Sequence, residues 1–378
     1  MPGMDRSDLF EGQRAPGEVL RLLLESHGWS QEEFAAITGK SRQTIIQIIA
    51  GRAGVTPEMA VLFAAAFGQD ANDWLRLEAN YRLSRVNQPT DVVQRKARVH
   101  AKVPVREIQR RGWIKADADI ATLESEVRRF LRIAAIEDAP QLSVAPRRSG
   151  SEPELTPIQI AWCARARELA EMVPVSGHFD PAHLPRLRHE LRALAAYPKE
   201  TRHLPRTLGK YGIRFVVIEP LASGKLDGAT LWLDPKSPVV AISGRHDRID
   251  NFWHTVFHEI VHIERGDALV VDDTVEAGTP RLPLDIAEDQ ANRGAAEILV
   301  PQDELESFIR RSAPLYSRPL LVQFAHRVRM HPGIIVGQLQ HREEVGFGAF
   351  RDFLVKIRSI VTATALTDGW GHTLPSPA

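Results

Sequence analysis

Apolar residues recur every three to four positions from Pro16 to about Arg85, and that spacing predicts a run of amphipathic helices opened by a proline suited to a first turn. Helices are also expected over Asp119–Ile136, Ile158–Met172 and Pro181–Ala196. The period then changes. Ile213–Ile218, Ala229–Leu233 and Val239–Ile242 are short apolar runs bounded by glycine, proline and aspartate, and they read as strands of a small sheet. From Ile249 to Arg342 the helical period returns. The stretch from Ala139 to Pro157 is rich in Pro, Ser, Gly and Arg and reads as a linker or long surface loop. No internal repeat interrupts this order.

These elements divide the chain into a flexible tail (1–15), a helical bundle (16–85), a helical connector with linker (86–157), an α+β domain with a small sheet (158–345), and a C-terminal helix and tail (346–378) that is disordered after about Thr362. The expected fold class is multidomain and mainly α. A length of 378 residues suffices for two or three cores, and 43% hydrophobic with 25% charged residues is globular composition. The formal net charge of zero excludes a global attraction to nucleic acid or membrane, so any DNA-binding signal must be local. One local excess exists: Arg85, Arg95, Lys96, Arg98, Lys102, Arg106, Arg110, Arg111 and Lys115 outnumber Asp91 and Glu107, either as an extension of a phosphate footprint or as a solvated face. A single cysteine, Cys163, has no partner for an internal disulfide. With a polar start and no run of about 20 apolar residues, a cytoplasmic chain that does not enter membranes is expected. Trp113, Trp162 and Cys163 are expected in the core, and the Arg147–Arg148 pair as solvated linker charge.

Within the first bundle the layout is specific. Ser30 can cap a helix with Glu33 completing a capping box, and Phe34, Ala35 and Ile37 give that helix an apolar face. Gly39 can end it in the left-handed region, and Ser41 can cap a second helix whose apolar face is Ile45, Ile48 and Ile49. Two short helices around a glycine turn form a helix-turn-helix, whose second helix enters the major groove by its N-terminal end. The base-reading candidates are Arg42, Gln43, Thr44 and Gln47, with Lys40, Ser41 and Arg52 placed for the backbone. The run from Ser30 to Leu83 resembles the XRE, lambda-repressor-like helix-turn-helix of HigA-type antitoxins. That resemblance implies a five-helix DNA-binding domain that dimerises on palindromic double-stranded operators.

The strongest chemical signal is His258-Glu259-Ile260-Val261-His262. On a helix, residues four apart share a face, so both imidazoles can reach one ion, and Glu259 can take a proton from water beside it. Phe252, Trp253, Val256, Phe257, Ile260, Val261 and Ile263 mark this helix as buried. Catalytic zinc needs a third protein ligand. Downstream, Glu288 and Asn292 also lie four apart. Glu288 can ligate Zn2+ while Asn292 accepts a hydrogen bond from a ligand histidine; Asp285, Asp289 and Glu297 are rival carboxylates.

Residues from about Leu204 to Arg342 resemble the ImmA/IrrE family of zinc metallopeptidases, through GIRFVVIEPL, DGATLWLD, VVAISGRHDRIDNFWHTVFHEIVHI, AEDQANRGAAEILVP and FAHRVRMHPGIIVGQLQHR. The resemblance implies a zincin-like α+β domain with His258, His262 and Glu288 as ligands and Glu259 as general base. Two positions depart from it: Gly294 stands where the family usually has phenylalanine, and His254 where phenylalanine is common. His254 is either a neutral packing residue, the favoured expectation, or a polar group near the metal, and Gly294 is expected as a point of looser packing. His331, His326, Tyr316 and Arg245 are candidates for oxyanion stabilisation, each more readily structural. Two functions follow: a DNA-binding regulator whose peptidase cleaves a protein partner, a repressor or a toxin, or an antitoxin-type repressor whose zincin-like domain is a sensor or scaffold without turnover.

Overall fold

The computed structural model describes residues 10, 14–86, 91–116, 119–143, 155–267, 269–273 and 285–371. Two compact units divide between Val93 and Gln94.

The first unit contains α1 (Pro16–His27), α2 (Gln31–Thr38), α3 (Arg42–Ile49), α4 (Pro57–Phe67) and α5 (Ala71–Arg85). The helix ends are written locally. Ser30 Oγ accepts the Glu33 amide at 3.1 Å while Glu33 Oε2 accepts the Ser30 amide at 2.7 Å, which is the expected capping box. Gly39 ends α2 at φ 64°, a left-handed conformation that costs glycine little. Ser41 Oγ then caps α3 through the Thr44 amide at 3.1 Å. The core is largely aromatic: Phe34 and Phe67 stack with centroids 5.0 Å apart, and Phe63 meets Trp74 edge-on at 5.1 Å. Ile37 is not part of it; the side chain is 51% exposed, one step off the buried Phe34–Thr38 face. Phe10 is buried with its ring 5.2 Å from Trp74, so the expected flexible tail is anchored at that point.

The second unit is built on a five-stranded sheet in the order β4-β2-β3-β1-β5. Its strands are β1 (Arg214–Ile218), β2 (Leu226–Trp232), β3 (Pro238–Ile242), β4 (Val270–Asp273) and β5 (Leu366–Asp368). β1 pairs in parallel with β3 and β5, and β2 pairs antiparallel with β3 and β4. The central strands are apolar on both faces because both faces are covered. Phe215, Val217, Val240 and Ile242 pack into one core, and Val216, Ile218, Val239 and Ala241 into another.

The first of those cores holds α10 (Leu184–Ala195), α11 (Leu204–Lys210), α12 (Ile249–Arg265), α13 (Asp285–Leu299), α14 (Gln302–Ser312), α15 (Arg318–Val328), α16 (Pro332–His341) and α17 (Arg358–Thr362). The second core holds α6 (Asp91–Lys102), α7 (Val105–Arg110), α8 (Ile120–Leu131) and α9 (Pro157–Met172). The stretch expected as a connector is therefore one layer of this unit: Val99, Ile108, Trp113 and Val127 share a core with α9 and the strands. Residues 144–154 of the expected linker, including Arg147 and Arg148, lie outside the described residues.

The C-terminal segment also differs from expectation. Instead of ending in disorder after Thr362, the chain forms β5 against β1, with Val216 opposite Leu366 and Ile218 opposite Asp368. Asp368 is buried and accepts from Arg165 Nε at 2.5 Å and Trp113 Nε1 at 3.0 Å, tying α9 and the segment after α7 to the last strand. Among the described residues, no helix is long and apolar enough to cross a membrane.

Candidate metal centre and nucleic-acid interface

Helix α12 lies against the sheet with His258, Glu259 and His262 fully buried. It ends at Gly266 in the left-handed conformation, φ 69°, and the Asp267 amide returns to the His262 carbonyl at 3.1 Å. This turn swings the Asp267 carboxylate beneath the helix. Asp267 Oδ2 accepts from His262 Nδ1 at 2.9 Å and from Arg265 Nε at 2.8 Å. Burial raises the Asp267 carboxyl, but these two donors outweigh it and the group ionises more readily than usual. Burial also pushes the His262 imidazole down, against the pull of Asp267, so the ring is neutral near pH 7.

Helix α13 crosses close to α12 because Ala291, Gly294 and Ala295 face inward. A Cβ at Gly294 would sit 3.0 Å from Val261 Cγ2, so the glycine tightens the helix contact where looser packing was expected. That approach delivers Glu288 and Asn292 to the histidines. Glu288 Oε2 lies 3.1 Å from His258 Nε2, and Oε1 lies 3.5 Å from His262 Nε2. Asn292 Oδ1 lies 3.0 Å from His258 Nδ1. Of the rival carboxylates, Glu297 accepts the Gln302 amide at 3.1 Å, while the Asp285 side chain lies outside the described residues.

The hydrogen bonds fix what the rings offer. An amide oxygen and a carboxylate accept only, so His258 and His262 both carry their proton on Nδ1. Both Nε2 atoms then bear lone pairs, and they stand 3.0 Å apart. Two lone pairs and a carboxylate converging within 4.8 Å cannot satisfy one another and suit a cation. Zinc ligands about 2.0–2.2 Å from a tetrahedral ion stand roughly 3.3 Å apart, which these separations match. Nitrogen, nitrogen and carboxylate oxygen is also a donor set zinc accepts. The residues fit the ion.

Glu259 turns toward β2. Thr230 Oγ1 lies 2.7 Å from Glu259 Oε2 and 3.0 Å from the Glu259 carbonyl. Gly228, two residues earlier on the same face, leaves space for the carboxylate: a Cβ there would stand 2.6 Å from Glu259 Oε1. Neither Thr230, Gly228 nor Asp267 was identified from sequence. Only Asp267 had a local signal, an aspartate directly after a C-capping glycine. Of the two expectations for His254, the polar-group reading holds: its Nε2 donates to Asn292 Oδ1 at 3.1 Å. Burial, with the adjacent His258, pushes its imidazole down to about 4, so the ring is neutral as expected.

Three of the four oxyanion candidates have structural partners. His331 caps α16 by accepting the Gly333 amide, Tyr316 donates to Glu344 at 2.8 Å, and Arg245 pairs with Asp227 at 3.1 Å. His326 is exposed. Cys163 is buried, and burial with the nearby Glu259 charge pushes its thiol up to about 12, which fits its reading as inert.

In the first unit, Lys40, Ser41, Arg42, Gln43, Gln47 and Arg52 are exposed along or beside α3, and Thr44 is half-buried. The hydroxyls of Ser41 and Thr44 lie 2.8 Å apart within the helix cap, so both serve α3 itself. The basic stretch after α5 is largely engaged. Arg95 pairs with Glu124, Arg98 with Glu137, and Arg111 donates to the Glu219 and Pro220 carbonyls.

Comparison with known proteins separates the same two units. Residues 20–74 match the helix-turn-helix family, and residues 209–342 match the IrrE N-terminal-like domain. The uncharacterized HTH-type transcriptional regulator YddM of Escherichia coli is 29% identical over 77 residues, covering 20% of this chain and 82% of that protein. Virulence-associated protein A of Dichelobacter nodosus is 36% identical over 74 residues, 19% of this chain and 72% of that protein. A solved addiction module antidote protein of a HigA family from Coxiella burnetii is 21% identical, covers 24% of this chain and 95% of its own, and aligns with a TM-score of 0.18.

Proposed function

The chain belongs to the XRE-type helix-turn-helix family through its N-terminal domain and carries an IrrE N-terminal-like domain, and from that premise we propose a DNA-binding regulator whose second unit is a zinc-dependent endopeptidase acting on a protein partner, a repressor or a toxin-related protein. The observation that carries the peptidase reading is the meeting of two Nε2 lone pairs and the Glu288 carboxylate, the two imidazoles coming from the helix that also carries Glu259.

His258, His262 and Glu288 would hold the ion, with Asn292 and Asp267 orienting the two rings. Bound there, zinc supplies Lewis acidity toward a peptide carbonyl and acidifies water. Glu259 takes the proton from the attacking water and returns it to the leaving amine nitrogen. Thr230 steadies the Glu259 carboxylate through Oε2.

In the first unit, α3 reads the major groove with Arg42, Gln43 and Gln47 while Lys40 and Arg52 contact phosphates. A homodimer on a palindromic operator, with half-sites about 34 Å apart, follows from that docking mode and is testable by light scattering.

A second reading, a sensor or scaffold without turnover, draws on the complete burial of Glu259. One pair of variants separates the two. Purified wild type should hold about one zinc per chain, and His258→Ala should lose it. Glu259→Gln should keep zinc and DNA binding yet abolish cleavage of the partner. Glu259→Gln indistinguishable from wild type in every assay would establish the scaffold reading instead, and absence of zinc from metal-supplemented wild type would end the peptidase reading.

A further inference from the structure

Asn292 stands between two imidazoles. Its amide oxygen lies 3.0 Å from His258 Nδ1 and 3.1 Å from His254 Nε2. An amide oxygen has two lone pairs, and two N–H groups fill both. The arrangement constrains chemistry one atom further on. A carboxamide is nearly symmetric in shape, so with His258 as its sole partner it could reverse, donating from its NH2 to a His258 ring protonated on Nε2 instead. In that tautomer the His258 Nε2 lone pair is gone, and the ring cannot bind metal. With His254 also donating to the oxygen, reversal requires both rings to change tautomer together.

We infer that His254 is a positioning residue: by donating Nε2–H to Asn292 it holds the amide oxygen toward His258 Nδ1–H and keeps the His258 Nε2 lone pair turned to the position shared with His262 and Glu288. This inference rests on the metal reading above but concerns a bond that exists without the ion. A phenylalanine at this position would fill similar space but has no N–H. His254 thus adds a constraint where an aromatic ring supplies only packing.

The test uses the full-length chain with His254→Phe, His254→Gln and Asn292→Ala. Long-range 15N–1H spectra of the metal-free chain report the His258 tautomer. Wild type and His254→Gln, whose amide can still donate, should show His258 protonated on Nδ1, and His254→Phe should show a mixture. Zinc affinity is measured by competition with a chromophoric chelator. Loss of an orienting partner costs roughly 10–100-fold, so Asn292→Ala should fall in that range, His254→Phe should lose less, and the double variant should be no weaker than Asn292→Ala alone. The idea is overturned if His258 keeps one tautomer in His254→Phe, or if the His254→Phe loss adds in full to that of Asn292→Ala. If wild type binds no zinc at all, the metal reading fails on the second measurement while the tautomer spectra still decide the role of His254.

Discussion

Replacing Asp368 with alanine removes the acceptor for two buried donors at once. Asp368 is 1% exposed, and its Oδ2 takes Arg165 Nε at 2.5 Å and Trp113 Nε1 at 3.0 Å. Arg165 is itself fully buried, so the substitution strands part of a guanidinium charge inside the second core. Breaking a buried ion pair from one side costs about 3–5 kcal/mol. Arg165 keeps its contact with Glu168, which places the loss at the lower end, about 3 kcal/mol. At roughly 2 °C per kcal/mol for a unit of this size, the midpoint for unfolding of the second unit in scanning calorimetry should fall by about 6 °C. Arg98→Ala is the control: its pair with Glu137 joins side chains 54% and 59% exposed, and exposed pairs contribute little. Replacing both partners with apolar residues, Arg165→Met with Asp368→Leu, should recover much of the loss, because neither charge then remains buried. A transition in Asp368→Ala within about 1 °C of wild type would refute the reasoning.

Three further outcomes follow. Gly228→Ala places a Cβ within 2.6 Å of Glu259 Oε1 and 2.7 Å of Thr255 Cγ2, so it should lower peptidase turnover by up to about a hundredfold while leaving zinc content unchanged; equal loss of both would count against it. Cys163 should resist thiol reagents at pH 8 until the chain is unfolded. Because its folded pKa is raised to about 12, the protonated thiol's contribution to stability is complete below the ordinary thiol value of about 8.5 and declines as pH rises toward 12, so the urea midpoint of wild type should fall with pH over that window more than that of Cys163→Ala. On operator DNA, Arg42→Ala and Gln47→Ala should each cost about 1–3 kcal/mol and relax sequence preference, whereas Lys40→Ala and Arg52→Ala should weaken all sequences alike and reduce the salt slope by about one each, as read by fluorescence anisotropy.

The local sequence carried the parts of this protein that local physics decides. Caps, glycine turns and apolar spacing fix α2 and α3 within a few residues, since Ser30, Glu33, Gly39 and Ser41 act on their own neighbours. The pentad at 258–262 and the Glu288–Asn292 pair are legible because helical spacing of four places each pair on one face. Three of the five strands were visible as apolar runs. β4 and β5 were not: each is short, and each becomes a strand only by pairing with one formed elsewhere in the chain.

What tertiary structure alone decided is which distant groups meet. Nothing along the chain brings Asp368 to Arg165 and Trp113, makes the stretch from Val99 to Val127 a layer over the sheet, or sets Thr230 and Gly228 against Glu259. Nor does spacing show that His254 donates to Asn292. Backbone caps and helical faces are short-range and recorded in adjacent residues, whereas burial of a polar group is stable only when a partner arrives from another segment, and that partner is chosen by how the whole sheet and its two helical layers close.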